Sequence, residues 1–263
     1  MAHDAQWFTD GAAYERLIAR WTRAAGTTFL DWLAPPSGAR WLDVGCGTGV
    51  FTELVVETCS PASVIAIDPS AAQIDVALKK PVAQRVDFRI ADAQTLPFSD
   101  GTFDIVVSSL VINFIADRPR ALAEMRRVCS PGGVIAGYVW DFATQRSPNA
   151  PIRFGLQQIG AKPPPVPGTE DSRSEALTSL FTGGKLTDIA TRMIDVTMSF
   201  SDFNDFWQSQ TPSYNPTGKM IAALSETDRE NVLASVRARL PAAPDGSVTY
   251  SARANAIKAR VPK

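Results

Sequence analysis

The feature that most constrains this chain is a strict alternation, between residues 39 and 140, of short apolar runs with helix-length amphipathic segments. Residues 39–44, 64–67, 86–91, 103–108 and 134–140 read as strands. Segments at 51–58, 70–79 and 119–128 between them carry apolar residues at helical spacing. Strands joined through helices pair in parallel, and a parallel sheet must be covered on both faces, which suits strands as continuously apolar as Ile105-Val106-Val107. The fold class that follows is α/β, a doubly wound sheet.

The flanks are less regular. Residues 12–33 place Tyr14, Leu17, Ile18, Trp21, Phe29, Trp32 and Leu33 on one side of a helix, and Gly26 predicts a kink or a split into two. Pro119 suits a first helical turn, and Pro131-Gly132-Gly133 is expected to end that helix before the fifth strand. Six prolines between 148 and 167 predict a loop or lid over 142–171. Beyond it, 172–181 reads as a helix and 190–200 as a strand. Ser201 is expected to cap a helix bearing Phe203, Phe206 and Trp207; another helix covers 227–240, and a last strand or strand pair covers 248–261. The organisation expected is one domain: a helical cover over 1–36, a ligand-binding core over 37–141, a lid and acceptor region over 142–215, and a closing helix and strands over 216–263.

Composition removes several chemistries. The single histidine is His3, so a Ser-His-Asp hydrolase or a His-ligated metal enzyme lacks its residue inside the fold. Cys46, Cys59 and Cys129 stand in no Cys-x-x-Cys spacing and read as reduced thiols with no metal role. A net charge of −1 gives no electrostatic reason to expect nucleic acid as a partner. Residues 1–10 show no basic stretch leading into an apolar run, and 103–115 is too short to span a bilayer. The expectation is a cytoplasmic protein, monomer or homodimer, with no membrane span.

The chemistry concentrates where strands end. Leu42-Asp43-Val44-Gly45-Cys46-Gly47-Thr48-Gly49 closes the first strand in a glycine turn that lets a ligand approach the backbone. Position 50 is valine, so the dinucleotide pattern Gly-x-Gly-x-x-Gly fails from Gly45, and Thr52 fails it from Gly47. A nicotinamide oxidoreductase is disfavoured on that ground, and no Gly-Lys-Ser/Thr follows to make a P-loop. Asp68 at the tip of the second strand can accept hydrogen bonds from two ribose hydroxyls, or cap the helix that Ser70 begins. Asp92, followed by Ala93, can accept from an adenine amino group, or stand as an ordinary loop carboxylate.

In order, LDVGCGTG, VIAIDPS, ADAQTLPFSDGTFDIVVSS and ALAEMRRVCSPGG resemble the class I S-adenosylmethionine-dependent methyltransferases, in the branch of the type 11 and ubiquinone/menaquinone sequences. The resemblance covers about residues 40–140. It implies a Rossmann-like, mostly parallel seven-stranded sheet with its last strand antiparallel, N-terminal helices and an inserted cap. It implies S-adenosylmethionine as cofactor, leaving as S-adenosylhomocysteine, and a small-molecule acceptor. Asp43, Gly45, Cys46, Gly47 and Gly49 would surround the methionine part, Asp68 would hold the ribose, and Pro69 or Ser70 would lie near the adenine. Asp92 and Ala93 would bind adenine, Ser108 would offer its carbonyl to the ammonium, and Tyr14 and Trp21 would cover the cofactor.

Many relatives carry a histidine after strand four, where this chain has Asn113, which cannot act as a base. Tyr138 and Asp141 are the local candidates for that role, although Tyr138 reads more readily as a packed strand residue and Asp141 as a loop carboxylate. Trp140, Phe142, Phe203, Phe206, Trp207 and Tyr214 could wall an apolar acceptor pocket or simply be core. A non-catalytic, cofactor-binding regulatory protein on the same fold is the alternative.

Overall fold

The computed structural model describes residues 11–211 and 216–263, with side chains from residue 19 onward. Seven strands form one sheet: β1 (Arg40–Val44), β2 (Ser63–Asp68), β3 (Asp87–Ile90), β4 (Phe103–Ser109), β5 (Cys129–Trp140), β6 (Thr187–Phe200) and β7 (Val248–Arg260). Their order is β3-β2-β1-β4-β5-β7-β6. The first five pair in parallel, and β7 runs antiparallel to both β5 and β6. The sheet is the Rossmann-like one expected. The chain winds outward from β1 to β3, then returns to place β4 on the other side of β1. That reversal opens a crevice at the carboxyl ends of β1 and β4, where open α/β sheets take their ligands.

Nine helices flank the sheet among the described residues: α1 (Gly11–Leu33), α2 (Val50–Thr58), α3 (Ala71–Ala77), α4 (Arg118–Val128), α5 (Ala150–Gln158), α6 (Ser174–Gly183), α7 (Phe203–Gln210), α8 (Pro216–Ala222) and α9 (Glu226–Arg239). Period-two alternation in the strands feeds two cores. Trp41, Ile105, Val107, Ala136 and Tyr138 pack with α1 and α2 on one face. Leu42, Val44, Val106, Ile135 and Val139 pack with α4 and α6 on the other. No described helix is long and apolar enough to cross a membrane.

Several local expectations change. α1 is one continuous helix. A Cβ at Gly26 would stand 2.9 Å from a Leu54 methyl and 3.0 Å from the Phe51 ring, so the glycine permits close packing of α1 on α2 instead of breaking the helix. β5 begins at Cys129, and Pro131-Gly132-Gly133 lies inside its span, where the β4–β5 register shifts between Phe103 and Ile105. The proline-rich stretch contains α5, which begins with Pro151 in its first turn, a position that costs no backbone hydrogen bond. Asp202 caps α7 in place of Ser201, accepting from Asp205 N–H at 2.8 Å. Residues 142–215 contribute α6 and the edge strand β6 as well as α5 and α7. The final segment is a single strand, β7.

Candidate cofactor and active site

The turn between β1 and α2 is held by its backbone. Gly45, Gly47 and Gly49 have φ of 81°, 55° and 80°, the left-handed region that side chains resist. The N–H groups of Gly45 and Cys46 both donate to the carbonyl of Ile67, at 2.8 and 2.9 Å, which ties the turn to β2. A Cβ at Gly45 would stand 2.5 to 2.9 Å from the side-chain carbons of Val111, so the segment after β4 rests directly on the turn. Gly45→Ala is expected to cost about 2 kcal/mol from the left-handed backbone and the clash together. Thermal unfolding reads this loss, and adding Val111→Ala should recover only the clash.

Asp68 joins this turn to the next. Its Oδ2 accepts from Gly47 N–H and its Oδ1 from Ser70 N–H, each at 2.9 Å. Burial raises its pKa, and the two N–H donors oppose the rise. One bond to each oxygen leaves each further acceptor capacity for a ribose hydroxyl. Pro69 is exposed and Ser70 half-buried at the start of α3, where the Ser70 hydroxyl makes no capping bond.

Asp43 points from β1 toward α2 and is 1% exposed. Thr52 donates its hydroxyl to Oδ2 at 2.6 Å, while Oδ1 has no partner. The Thr48 hydroxyl is likewise buried without a partner. Burial above all pushes the Asp43 pKa up to about 7; the Thr52 bond opposes the rise and the charge of Asp68 adds to it. The folded protein therefore holds a proton that the unfolded chain releases near 3.8, and stability falls as pH rises from about 4 to about 7. Affinity for a cationic ligand in the crevice should instead rise through that window, since the charge favours the carboxylate. Titrations with S-adenosylmethionine from pH 5.5 to 8.5 are expected to show the slope, and Asp43→Asn to flatten it.

Cys46 is buried in the turn, and desolvation with the nearby Asp43 and Asp68 charges keeps its thiol protonated. That argues against nucleophilic or redox chemistry there. Among the described residues no cluster of three or more His, Cys, Asp or Glu could hold a metal, and His3 lies outside them.

Asp92, exposed beyond β3, accepts from the Gln94 backbone N–H at 2.8 Å and from its side-chain amide at 3.1 and 3.2 Å. Gln94 in turn accepts from Asp117 N–H and receives the Arg120 guanidinium on its carbonyl, linking the adenine-side loop to the start of α4. Ala93 is half-buried beside this loop. The motif reading passed over Gln94, although its place two residues after an aspartate in a turn is the signal for such a bond. At the tip of β4, Ser108 is buried with its Oγ unpartnered and its carbonyl against Gly137 of β5. Leu110 follows at φ 61°, donating its N–H to the Tyr138 carbonyl at 2.7 Å. A left-handed leucine here is a strained residue at the crevice that composition gave no hint of.

Other expected residues lie elsewhere. Trp21, expected over the cofactor, is packed among aromatic side chains of the core. It is 2% exposed, with ring centroids 6.1 Å from Trp140, 6.4 Å from Phe200 and 6.1 Å from Tyr250. The Tyr14 side chain lies outside the described residues. Tyr138, a candidate base, is fully buried with its ring 4.8 Å from Phe29 and 5.8 Å from Phe51, the position of a packing residue. Asp141 is also buried, and its carboxylate organises a turn by accepting the N–H of Thr144 at 3.0 Å and the Thr144 hydroxyl. Of the aromatic wall, Trp140 and Phe206 are buried core, and Phe142, Phe203 and Trp207 are half-buried. Tyr214 lies outside the described residues. Asn113 donates to the Pro167 carbonyl at 3.0 Å, and the Arg118 guanidinium bonds the Asn113 and Ile115 carbonyls and pairs with Asp171. These bonds hold the segment after β4 to the chain around 164–172.

Known proteins share this arrangement. A methyltransferase-domain family profile matches residues 42–137. The malonyl-[acyl-carrier protein] O-methyltransferase of Serratia marcescens is 35% identical over 128 residues, 49% of this chain and 49% of that protein. The ubiquinone/menaquinone biosynthesis C-methyltransferase of Dinoroseobacter shibae is 31% identical over 139 residues, 51% of this chain and 55% of that protein. The matched stretch thus spans about half the length of these curated relatives. A Haemonchus contortus phosphoethanolamine N-methyltransferase 2, solved with S-adenosyl-L-methionine, has the same fold at a TM-score of 0.60 and 17% identity, covering 99% of this chain and 59% of that one. Residues 42–137 are thus similar to the methyltransferase-domain family, and the sheet has the fold of a methyltransferase solved with S-adenosyl-L-methionine.

Proposed function

We propose that this protein transfers a methyl group from S-adenosylmethionine to a small-molecule acceptor bound between the carboxyl edge of the sheet and residues 142–215. The observation that carries the reading is the β1–α2 turn. There three left-handed glycines, the bridging carboxylate of Asp68 and an unpartnered oxygen on Asp43 meet at the switch point. These residues fit the cofactor: a Cβ at Gly47 would meet nothing closer than the Gln73 Oε1, 3.8 Å away, so the turn is open to a ligand. Gly45, Cys46, Gly47 and Gly49 would line the methionine part, with Asp43 supplying negative charge beneath it. Asp68 would hold the ribose, Pro69, Ser70, Asp92 and Ala93 would border the adenine, and Ser108 would lie beside the ammonium.

When bound, S-adenosylmethionine supplies a methyl group activated by sulfonium charge, which an in-line displacement transfers. The chain's own work is then alignment and exclusion of water. Asp68 fixes the turn to α3, Val111 backs the turn at Gly45, and the Asn113 and Arg118 bonds hold the neighbouring segment in place. With Tyr138 in the core and Asp141 tied to Thr144, neither is placed to take a proton. That favours an acceptor whose nucleophile needs no base, such as an amine, a carboxylate or an acidic enol. The two named relatives, one an O- and one a C-methyltransferase, keep both classes of acceptor atom open. The cytoplasm is the proposed location, with the chain acting as a monomer or homodimer and without nucleic acid. Transfer of labelled methyl to a panel of small carboxylates, amines and enols tests the reading. Tight cofactor binding without transfer to any of them would favour the regulatory alternative.

A further inference from the structure

On the α4–α6 face, away from the crevice, lies an open cavity of about 800 Å³ that the methyl-transfer reading does not use. It follows α4 down to the amino-terminal end of β5, with α6 as its other wall. Leu122, Leu180 and Val261 give it an apolar floor. Gly183 leaves it open, because a Cβ there would meet nothing within 4 Å. Two cations on its walls, Arg126 and Lys185, make no side-chain ion pair among the described residues. Arg127 beside them is different in kind, being held by Glu124 and Asp100. The lining acid Asp100 is therefore spoken for, and an uncompensated positive charge remains over an apolar surface.

We propose that this groove binds a small anionic amphiphile, a carboxylate on a medium-length alkyl chain, with the chain on Leu122, Leu180 and Val261 and the carboxylate between Arg126 and Lys185. The volume lies in the range of small-ligand sites. α4 lines one wall over two turns through Pro119, Leu122, Ala123, Arg126 and Arg127, while the facing wall, α6 with its C-cap, offers only Ser179, Leu180, Gly183 and Gly184, little more than one turn. That is too short to seat a partner helix through repeated anchors at i, i+3, i+4 and i+7. Unpaired cations beside an apolar floor select a ligand carrying both an anionic head and an apolar tail. The site is independent of the methyl-donor site, and it stands or falls separately.

Calorimetric titration of the whole chain with decanoate, below its micelle concentration, tests the inference. Saturable one-to-one binding is expected, with decanol at least about tenfold weaker, the equivalent of about 1.4 kcal/mol for the lost charge interaction. Gly183→Phe should abolish decanoate binding without lowering the unfolding temperature, because it fills open space. Arg126→Glu with Lys185→Glu should weaken decanoate at least about tenfold and leave decanol unchanged. Absence of saturable binding, equal affinity for decanol, or full affinity in a folded Gly183→Phe protein would overturn it. So would displacement of decanoate by a tighter-binding acidic amphipathic peptide, which would make the groove a protein-docking surface.

Discussion

Asp68→Ala is expected to weaken binding of S-adenosylhomocysteine about 100-fold, the largest effect on the ligand of any single change in the turn. Hydrogen bonds to a charged group contribute about 1.5–3 kcal/mol each, and the reading assigns this carboxylate to the ribose hydroxyls. The same side chain already holds the N–H groups of Gly47 and Ser70. Its loss therefore also frees the turn that must be in place before the ligand arrives, and binding then carries an added ordering cost. Asp68→Asn keeps one acceptor oxygen and should fall between the two. An alanine variant within threefold of the parent affinity would mean that Asp68 serves only to pin the two loops together.

Trp21→Ala is expected to lower stability by about 3–5 kcal/mol, the cost of emptying a large aromatic site in a packed core. In a chain of this size that corresponds to a fall of about 10 °C in unfolding temperature. Trp21 sits among Trp140, Phe200 and Tyr250, so the loss disturbs the contact of α1 with β6 and β7. Affinity of the remaining folded protein for S-adenosylhomocysteine should stay close to that of the parent. The opposite pattern, unchanged stability with lost affinity, would return Trp21 to the role that family resemblance suggests.

That contrast marks how far the residues speak for themselves. Strand-helix alternation made the parallel sheet readable, because burial on both faces demands apolar strands such as Ile105-Val106-Val107. The glycine turn was readable because only glycine tolerates its three positive φ angles. Periodicity marks Trp21 as facing inward, however, and does not say whether it faces core or ligand. Gly26 misled for a related reason: helix propensity treats glycine as a weak point, whereas its lack of a Cβ is what admits Phe51 and Leu54. Prolines near 150 suggested loop, yet Pro151 sits where a helix begins. Val111 on Gly45 could not be anticipated at all from spacing, since it depends on chain segments that only the fold brings into contact, whereas the Gln94 bond to Asp92 is local and was legible in the turn.

The central claim is that the crevice at the switch point is a methyl-donor site. Calorimetric titration of the purified protein with S-adenosylhomocysteine, beside a parallel titration with NADH, tests it most directly. The account predicts saturable one-to-one binding of S-adenosylhomocysteine in the micromolar range and none of NADH. Tight NADH binding with no response to S-adenosylhomocysteine would contradict it, and would return the glycine turn to dinucleotide chemistry.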